Sequence, residues 1–176
     1  MIISVEQAKA LIDLADWKDE KIEMKLKAVE QTIRAYTNNN FQVRGYRVQA
    51  SITNGDLVSE SPIPFSIGDT IQISESQLNG GLYTIDGIDG TTFTVSEDLK
   101  DEGAVLVTKV EYPDDVIDCA LNLLEWEVKN REKVGIQSET LSRHSVTYFA
   151  QDASNQVMGY PAALLGGLKA YRKARC

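Results

Sequence analysis

An α+β protein is what the sequence predicts: a small α-helical core of about four helices that carries an inserted antiparallel β domain. Three observations predict it. Apolar residues recur at helical spacing before residue 40 and again after residue 113, the period drops to two between residues 41 and 112, and glycine-bearing turns crowd that middle stretch. The expected division is therefore 1–40 together with 113–176 for the helical core, and 41–112 for the insert. The insert reads as an antiparallel, barrel-like domain, with an SH3-like barrel as one form of it.

Each element has its own signal. Ser4, with Gln7 three residues on, forms a capping-box pattern, and Val5, Ala8, Leu11 and Ile12 then share one face of a short helix. After Asp16-Trp17-Lys18-Asp19 comes a longer helix, in which Ile22, Leu26, Val29, Ile33 and Tyr36 make a continuous apolar stripe suited to packing on the helix begun at Pro113. Thr37-Asn38-Asn39-Asn40 ends it. In the middle stretch Tyr46, Val48, Ala50 and Ile52 alternate with Arg47, Gln49 and Ser51. The pairs Ile71/Ile73, Tyr83/Ile85, Phe93/Val95 and Val105/Val107 repeat that period, so five or six short strands are expected. Ile88-Asp89-Gly90-Thr91 is the strongest hairpin signal, with Asp89 and Gly90 expected at positive φ, and Asn54-Gly55 and Asn79-Gly80 are weaker turns. Strands with no helix between them must close or sandwich to protect their edges, and alternation turns Tyr46, Tyr83 and Phe93 toward the barrel core.

Pro113 suits a first helical turn because its missing N–H is one that the helix would leave unpaired anyway, and Asp114 and Asp115 favour the positive end of the helix dipole. Val116, Ala120, Leu121, Leu124 and Val128 follow at helical spacing, and the face around Leu121, Leu124 and Val128 is expected to form the internal core. Glu125/Lys129 and Glu127/Arg131, four apart with the acid first, mark an exposed face. Gly135 stops the helix. Residues 136–149 turn to Ser, Thr, Val, Tyr and Phe, the composition of an extended arm whose backbone must find a partner edge. Tyr160-Pro161 then opens a final helix with Leu164, Leu165 and Leu168, weakened by Gly166-Gly167 and ending in Lys169, Arg172, Lys173 and Arg175.

Pro113-Asp114-Asp115-Val116, Leu124-Glu125-Trp126, Gly135-Ile136-Gln137-Ser138-Glu139, Ser145-Val146-Thr147-Tyr148 and Tyr160-Pro161, in that order, resemble the head-tail connector (adaptor) proteins of long-tailed bacteriophages. The resemblance covers the C-terminal third and, more loosely, the N-terminal helices; residues 41–112 look like an insertion into the minimal family pattern. Ile67-Gly68-Asp69-Thr70-Ile71 followed by Asn79-Gly80-Gly81-Leu82-Tyr83-Thr84-Ile85 is similar to a small β domain that recurs in phage structural proteins. The resemblance implies a helical connector core and a virion structural protein of the phage neck. Such a protein forms a homo-oligomeric ring, dodecameric in the assembled particle, docked on the portal protein. The ring extends the DNA channel, through which DNA passes without sequence-specific binding, and offers a surface to a downstream neck or tail-completion protein. The location implied is the head-tail junction, after assembly in the host cytoplasm. On this view Ile136, Ser138, Val146 and Tyr148 belong to an arm that crosses to a neighbour or partner. Leu168, Lys169, Tyr171, Arg172, Lys173 and Arg175 then form a portal-docking segment that settles only when docked.

Other function classes are constrained by composition. With 176 residues the chain can bury a real core without staples, and Cys119 and Cys176 make a poor disulfide pair that suits a reducing compartment. No signal-peptide pattern follows Met1, and no apolar run is long enough to span a bilayer, so a soluble protein without a membrane partner is expected. A net charge of −8 argues against gripping nucleic acid through its phosphates. No catalytic pattern stands out. His144 is the single histidine, and there is neither a phosphate-binding glycine loop, a dinucleotide fingerprint nor a paired-cysteine motif, so no cofactor, metal or catalytic residue is expected. The alternative is a small β-barrel that binds a peptide or a nucleic-acid end without ring assembly, which requires Tyr46, Tyr83 and Phe93 to be exposed. A nucleic-acid hydrolase would in turn need clustered carboxylates around a divalent cation.

Overall fold

The computed structural model describes residues 1–14, 16–130 and 155–174, and the backbone of residues 138–141 and 144–147. It divides into two compact units: Met1 with Asn40–Tyr112, and Ile2–Asn39 with Pro113–Cys176. Helices and a closed six-stranded antiparallel barrel make the chain α+β.

In the helical unit, α1 (Val5–Leu11) begins with the expected capping box: Gln7 N–H donates to Ser4 Oγ at 3.1 Å and Ser4 N–H donates to Gln7 Oε1 at 2.9 Å. Ala8 is its buried residue. Leu11, expected on the same face, is 67% exposed, and α1 gives way to an extended backbone at Ile12. The stripe of α2 (Asp19–Thr37) is inside at Ile22, Leu26, Val29 and Ile33, while Tyr36 is half-buried, and Asn38 in the left-handed region (φ 48°) ends the helix.

The third helix, α3 (Asp114–Asn130), packs against α2. Its first turn is held by the Pro113 carbonyl, which accepts from Val116 and Ile117 N–H. The buried stripe runs Val116, Cys119, Ala120, Leu123, Leu124 and Glu127, so it is rotated from the expected Leu121, Leu124 and Val128: Leu121 and Val128 are only half-buried. The stripe ends on an acid that its sequence assigned to the exposed face. Glu127 is 3% exposed and accepts from Lys25 Nζ of α2 at 2.8 Å, an ion pair that lets the carboxylate go inside. Glu125 and Lys129 pair on the surface as expected, whereas Arg131 lies outside the described residues.

Beyond α3, β7 (Ser138–Leu141) pairs antiparallel with β8 (His144–Thr147), and β9 (Gln156–Val157) with β10 (Tyr160–Pro161). The expected α-helix from Tyr160-Pro161 is not formed. Tyr160 and Pro161 belong to a two-residue strand, and the leucines beyond them sit on two 3-10 turns, Ala162–Leu165 and Gly167–Tyr171, that break at Gly166. The Gly166-Gly167 pair lacks the propensity to carry a continuous α-helix across the break. Leu165 and Leu168 are nevertheless fully buried, and Tyr160 packs edge-on against Trp126 with ring centroids 5.5 Å apart.

The barrel unit comprises β1 (Gln42–Thr53), β2 (Asp56–Ser59), β3 (Thr70–Ser74), β4 (Gly81–Asp89), β5 (Thr92–Val95) and β6 (Glu102–Val110), hydrogen-bonded in the order β1-β2-β5-β4-β3-β6 and closed by β6 on β1. Inward-facing residues from all six strands fill it, among them Ile52, Leu57, Ile71, Ile85, Phe93 and Val107, and Phe65 caps the core edge-on to Phe93 at 5.7 Å. Closure removes the sheet edges that five or six short strands would otherwise expose.

The turns rank differently from their sequence signals. Asn54 (φ 54°) and Gly55 (φ 86°) form the two-residue loop with both residues at positive φ that a type I′ turn requires. At the other hairpin Asp89 pairs with Thr92, so the loop is Gly90-Thr91, one residue later than expected, and Gly90 alone takes a positive φ (61°), as type II′ asks. Asn79-Gly80 makes no hairpin loop. Asn79 is buried and its side chain ties two loops together: Nδ2 donates to the Lys100 carbonyl and to Glu102 Oε2, both at 2.9 Å, and Oδ1 accepts from Lys100 N–H at 2.8 Å. Tyr46 also departs from expectation. Between the pairs Gln42↔Val110 and Arg47↔Thr108, β1 takes five steps against two on β6, so inside and outside lose their alternation and Tyr46 is 47% exposed. Tyr83 is half-buried, and Phe93 is in the core.

Candidate assembly surfaces

Three regions could receive a partner. The first is the β7–β8 hairpin, in register Ser138↔Thr147 and Glu139↔Val146. It holds Ser138 and Val146 of the expected arm; Ile136 and Tyr148 lie outside the described residues. Among the described residues no third strand joins it. A two-stranded ribbon keeps the outward N–H and C=O groups of both strands free for another chain, and is marginal without one.

The second region is the C-terminal segment. Leu168, expected to dock on a partner, is 1% exposed within its own unit and is therefore part of the core. Residues 171–174 form a strap along the end of α2. Lys173 N–H donates to the Thr37 carbonyl at 2.8 Å, Asn38 Nδ2 to the Ala174 carbonyl at 2.9 Å, and Asn39 Nδ2 to the Tyr171 carbonyl at 3.3 Å. Thr37 O is one of the last carbonyls of α2, which a helix leaves unpaired, so the strap satisfies a group that would otherwise need water. Tyr171 Oη donates to the Asp115 carboxylate at 2.7 Å, and that hydrogen bond raises the phenol above its ordinary range. Arg172 lies over the Tyr36 ring at 5.4 Å. The segment is thus placed against the end of α2 within the chain. Lys169, Arg172 and Lys173 keep their side chains at the surface, and Arg175 lies outside the described residues.

The third region is the barrel, whose charge is segregated. Between Asn40 and Tyr112 stand four basic and eleven acidic side chains, so nearly all of the net charge of −8 sits in this unit. At one end, loops 54–55, 75–80 and 96–101 meet. Gly55 lies against the Leu99 carbonyl, and Glu102 gathers Ser76 Oγ at 2.6 Å, Gln77 N–H at 2.7 Å and Asn79 Nδ2. Those hydrogen bonds, Ser76 first, hold the Glu102 carboxyl below its usual range. Glu97, Asp98 and Asp101 are exposed on the frame so fixed. Toward the other end Lys109 pairs with Asp69 at 2.9 Å, a partner that raises its pKa, and lies 5.7 Å from the Tyr46 ring. Arg44 and Arg47 are exposed beside Tyr46. Arg47 Nε donates to Thr108 Oγ1 at 3.1 Å, and neither guanidinium has a carboxylate partner among the described residues.

Chemistry is sparse elsewhere. The Cys119 thiol donates to the Leu164 carbonyl at 3.1 Å, and burial, with smaller contributions from Asp118 and Asp115, pushes it up to about 11, far from a reactive thiolate. Among the described residues no group of three His, Cys, Asp or Glu side chains converges as a metal-holding set, and no helix is long and apolar enough to cross a membrane. The strap on α2, the Asn79 pin and the charge division of the barrel were missed from the sequence; the last was there to be counted, the others depend on loops meeting in space. No protein-family model matches the chain, and no curated protein matches it either.

Proposed function

We propose that this protein is a head-tail connector of a long-tailed bacteriophage: a virion structural protein whose copies form a ring on the portal, continue the DNA channel and present a surface to the next neck or tail component. The observation that carries the proposal is the β7–β8 ribbon, which falls where the family resemblance puts an intersubunit arm and pairs with no third strand among the described residues. Backbone pairing with a neighbour or with the portal would complete it by strand addition. Two further features support the same reading. The acidic barrel discourages DNA from sticking to a channel protein, and a closed barrel inserted between helices adds bulk without offering sheet edges for unplanned aggregation.

The test is the mass of the protein in solution with and without purified portal protein. A closed multimer that co-migrates with the portal is expected; a monomer indifferent to it at all concentrations overturns the proposal. One observation favours a second reading, a nucleic-acid-binding barrel: Tyr46 is exposed beside Arg44 and Arg47, the stacking ring and cations that single strands use. Salt-dependent retention of a labelled single-stranded oligonucleotide, lost in Tyr46→Ala, would establish it.

A further inference from the structure

Resting on the ring proposal, we infer that the barrels of adjacent copies contact each other head to tail, the Arg44-Tyr46-Arg47 bulge of one barrel meeting the Glu97-Asp98-Asp101 loop of the next. The partner is a second copy of this chain. A head-to-tail ring needs two different and complementary faces on each subunit, and the barrel carries such a pair. The loop bearing the three acids lies at the end of the barrel where the Asn54-Gly55 turn joins β1 to β2. The bulge lies toward the opposite end of β1, where Gln42 pairs with Val110. At roughly 3.3 Å per residue the run from Arg47 to Thr53 separates them by about 20 Å, far enough that the charges of one copy do not neutralise each other.

The charges are also unspent. Lys109 is committed to Asp69 inside its own barrel, whereas Arg44 and Arg47 have no carboxylate partner among the described residues. Glu97, Asp98 and Asp101 have no cation partner there either, apart from the exposed Lys100 in the same loop. Both faces are stiffly presented: the acidic loop is pinned by Asn79 and Glu102, and the bulge by the ladder that resumes at Arg47↔Thr108. Tyr46 adds an exposed ring to the centre of the basic face, a residue type that is enriched at protein interfaces, as arginine is. In a unit that is otherwise strongly acidic, copies repel except in the one orientation that sets these faces together, so charge selects the register of association.

The experiment is a charge swap on the full chain, read by solution mass at physiological and at high salt. Arg44→Glu/Arg47→Glu and Glu97→Arg/Asp98→Arg/Asp101→Arg are each expected to raise the concentration needed for assembly by at least about tenfold. An equimolar mixture of the two variants, and the chain carrying all five changes, are expected to restore assembly, because each then sets opposite charges face to face. Restoration also shows that the variants fold. A wild-type ring that both single-face variants form equally well overturns this inference and leaves the ring proposal standing, as does loss of assembly that neither the mixture nor the five-fold variant restores. Loss of single-strand binding in Arg44→Glu/Arg47→Glu with unchanged mass overturns it in favour of a nucleic-acid face. A wild-type chain that stays monomeric at every concentration, with and without portal, overturns both.

Discussion

Replacing Leu168 by Ala tests whether the C-terminal segment belongs to the fold or waits for a partner. Leu168 is 1% exposed and sits beside Leu165, itself at 0%, on turns that pack against α2 and α3. Removing a fully buried leucine side chain costs about 2–5 kcal/mol, the transfer of the lost methyl and methylene groups plus the cavity left behind. Taking about 3 kcal/mol for a unit of roughly 100 residues, the melting temperature should fall by about 12 °C or more. Tryptophan fluorescence isolates the relevant unit, since Trp17 and Trp126 are the chain's two tryptophans and both belong to the helical unit. Lys169→Ala, an exposed neighbour, serves as the control and should shift the transition by less than about 0.5 kcal/mol. A segment that orders only on docking would make Leu168→Ala silent in the isolated chain. A change below about 2 °C, with the control equally silent, would refute the placement of this residue in the core.

Three more outcomes are expected. Lys25→Met should destabilise the helical unit by about 1–3 kcal/mol in urea unfolding by removing the cation that pairs with the buried Glu127 carboxylate, and Lys25→Met/Glu127→Leu should recover most of that loss; a double variant as unstable as the single one contradicts the assignment. Gly55→Ala, at φ 86°, should cost the barrel about 1 kcal/mol or more, whereas Gly45→Ala, with open space around its Cβ and no positive φ, should be near neutral, as judged by circular dichroism melts. Glu102 has a folded pKa below its unfolded one, so it contributes stability above the unfolded value, near 4.5, that is lost as pH falls through the folded value. Glu102→Gln should therefore flatten the acid limb of barrel stability below about pH 5, and an unchanged limb would count against the Ser76-Gln77-Asn79 network.

Local signals that close on themselves were legible in the sequence. The Ser4/Gln7 capping box needs residues three apart, the α2 stripe needs a period, and both stand as expected. Five or six alternating strands were enough to imply a closed or sandwiched sheet, and the barrel has six. Errors came where a distant partner decides. Glu127 looks like a surface acid until Lys25 of another helix reaches it, and Tyr46 looks like a core aromatic until a bulge against β6 breaks the alternation. Leu164, Leu165 and Leu168 have spacing that fits an α-helix, yet Gly166-Gly167 yields two 3-10 turns, and burial of Leu165 and Leu168 survives the change. The partner surfaces were the least legible. A strap of backbone carbonyls held by Asn38 and Asn39 leaves no trace in side-chain pattern, and the arm's Ile136 and Tyr148 lie outside the described residues.

Phe41 and Tyr112, the residues through which the chain enters and leaves the barrel, pack with tilted rings whose centroids are 4.9 Å apart, and Glu111 N–H donates to the Phe41 carbonyl at 3.0 Å. Both joints of the insert are thereby stapled at one doorway. Because closing a loop grows costlier only with the logarithm of its length, a module grafted at such a doorway can be swapped, enlarged or replaced by a short turn with little penalty to the host. The helical unit is accordingly a frame that tolerates exchange of what lies between Phe41 and Tyr112.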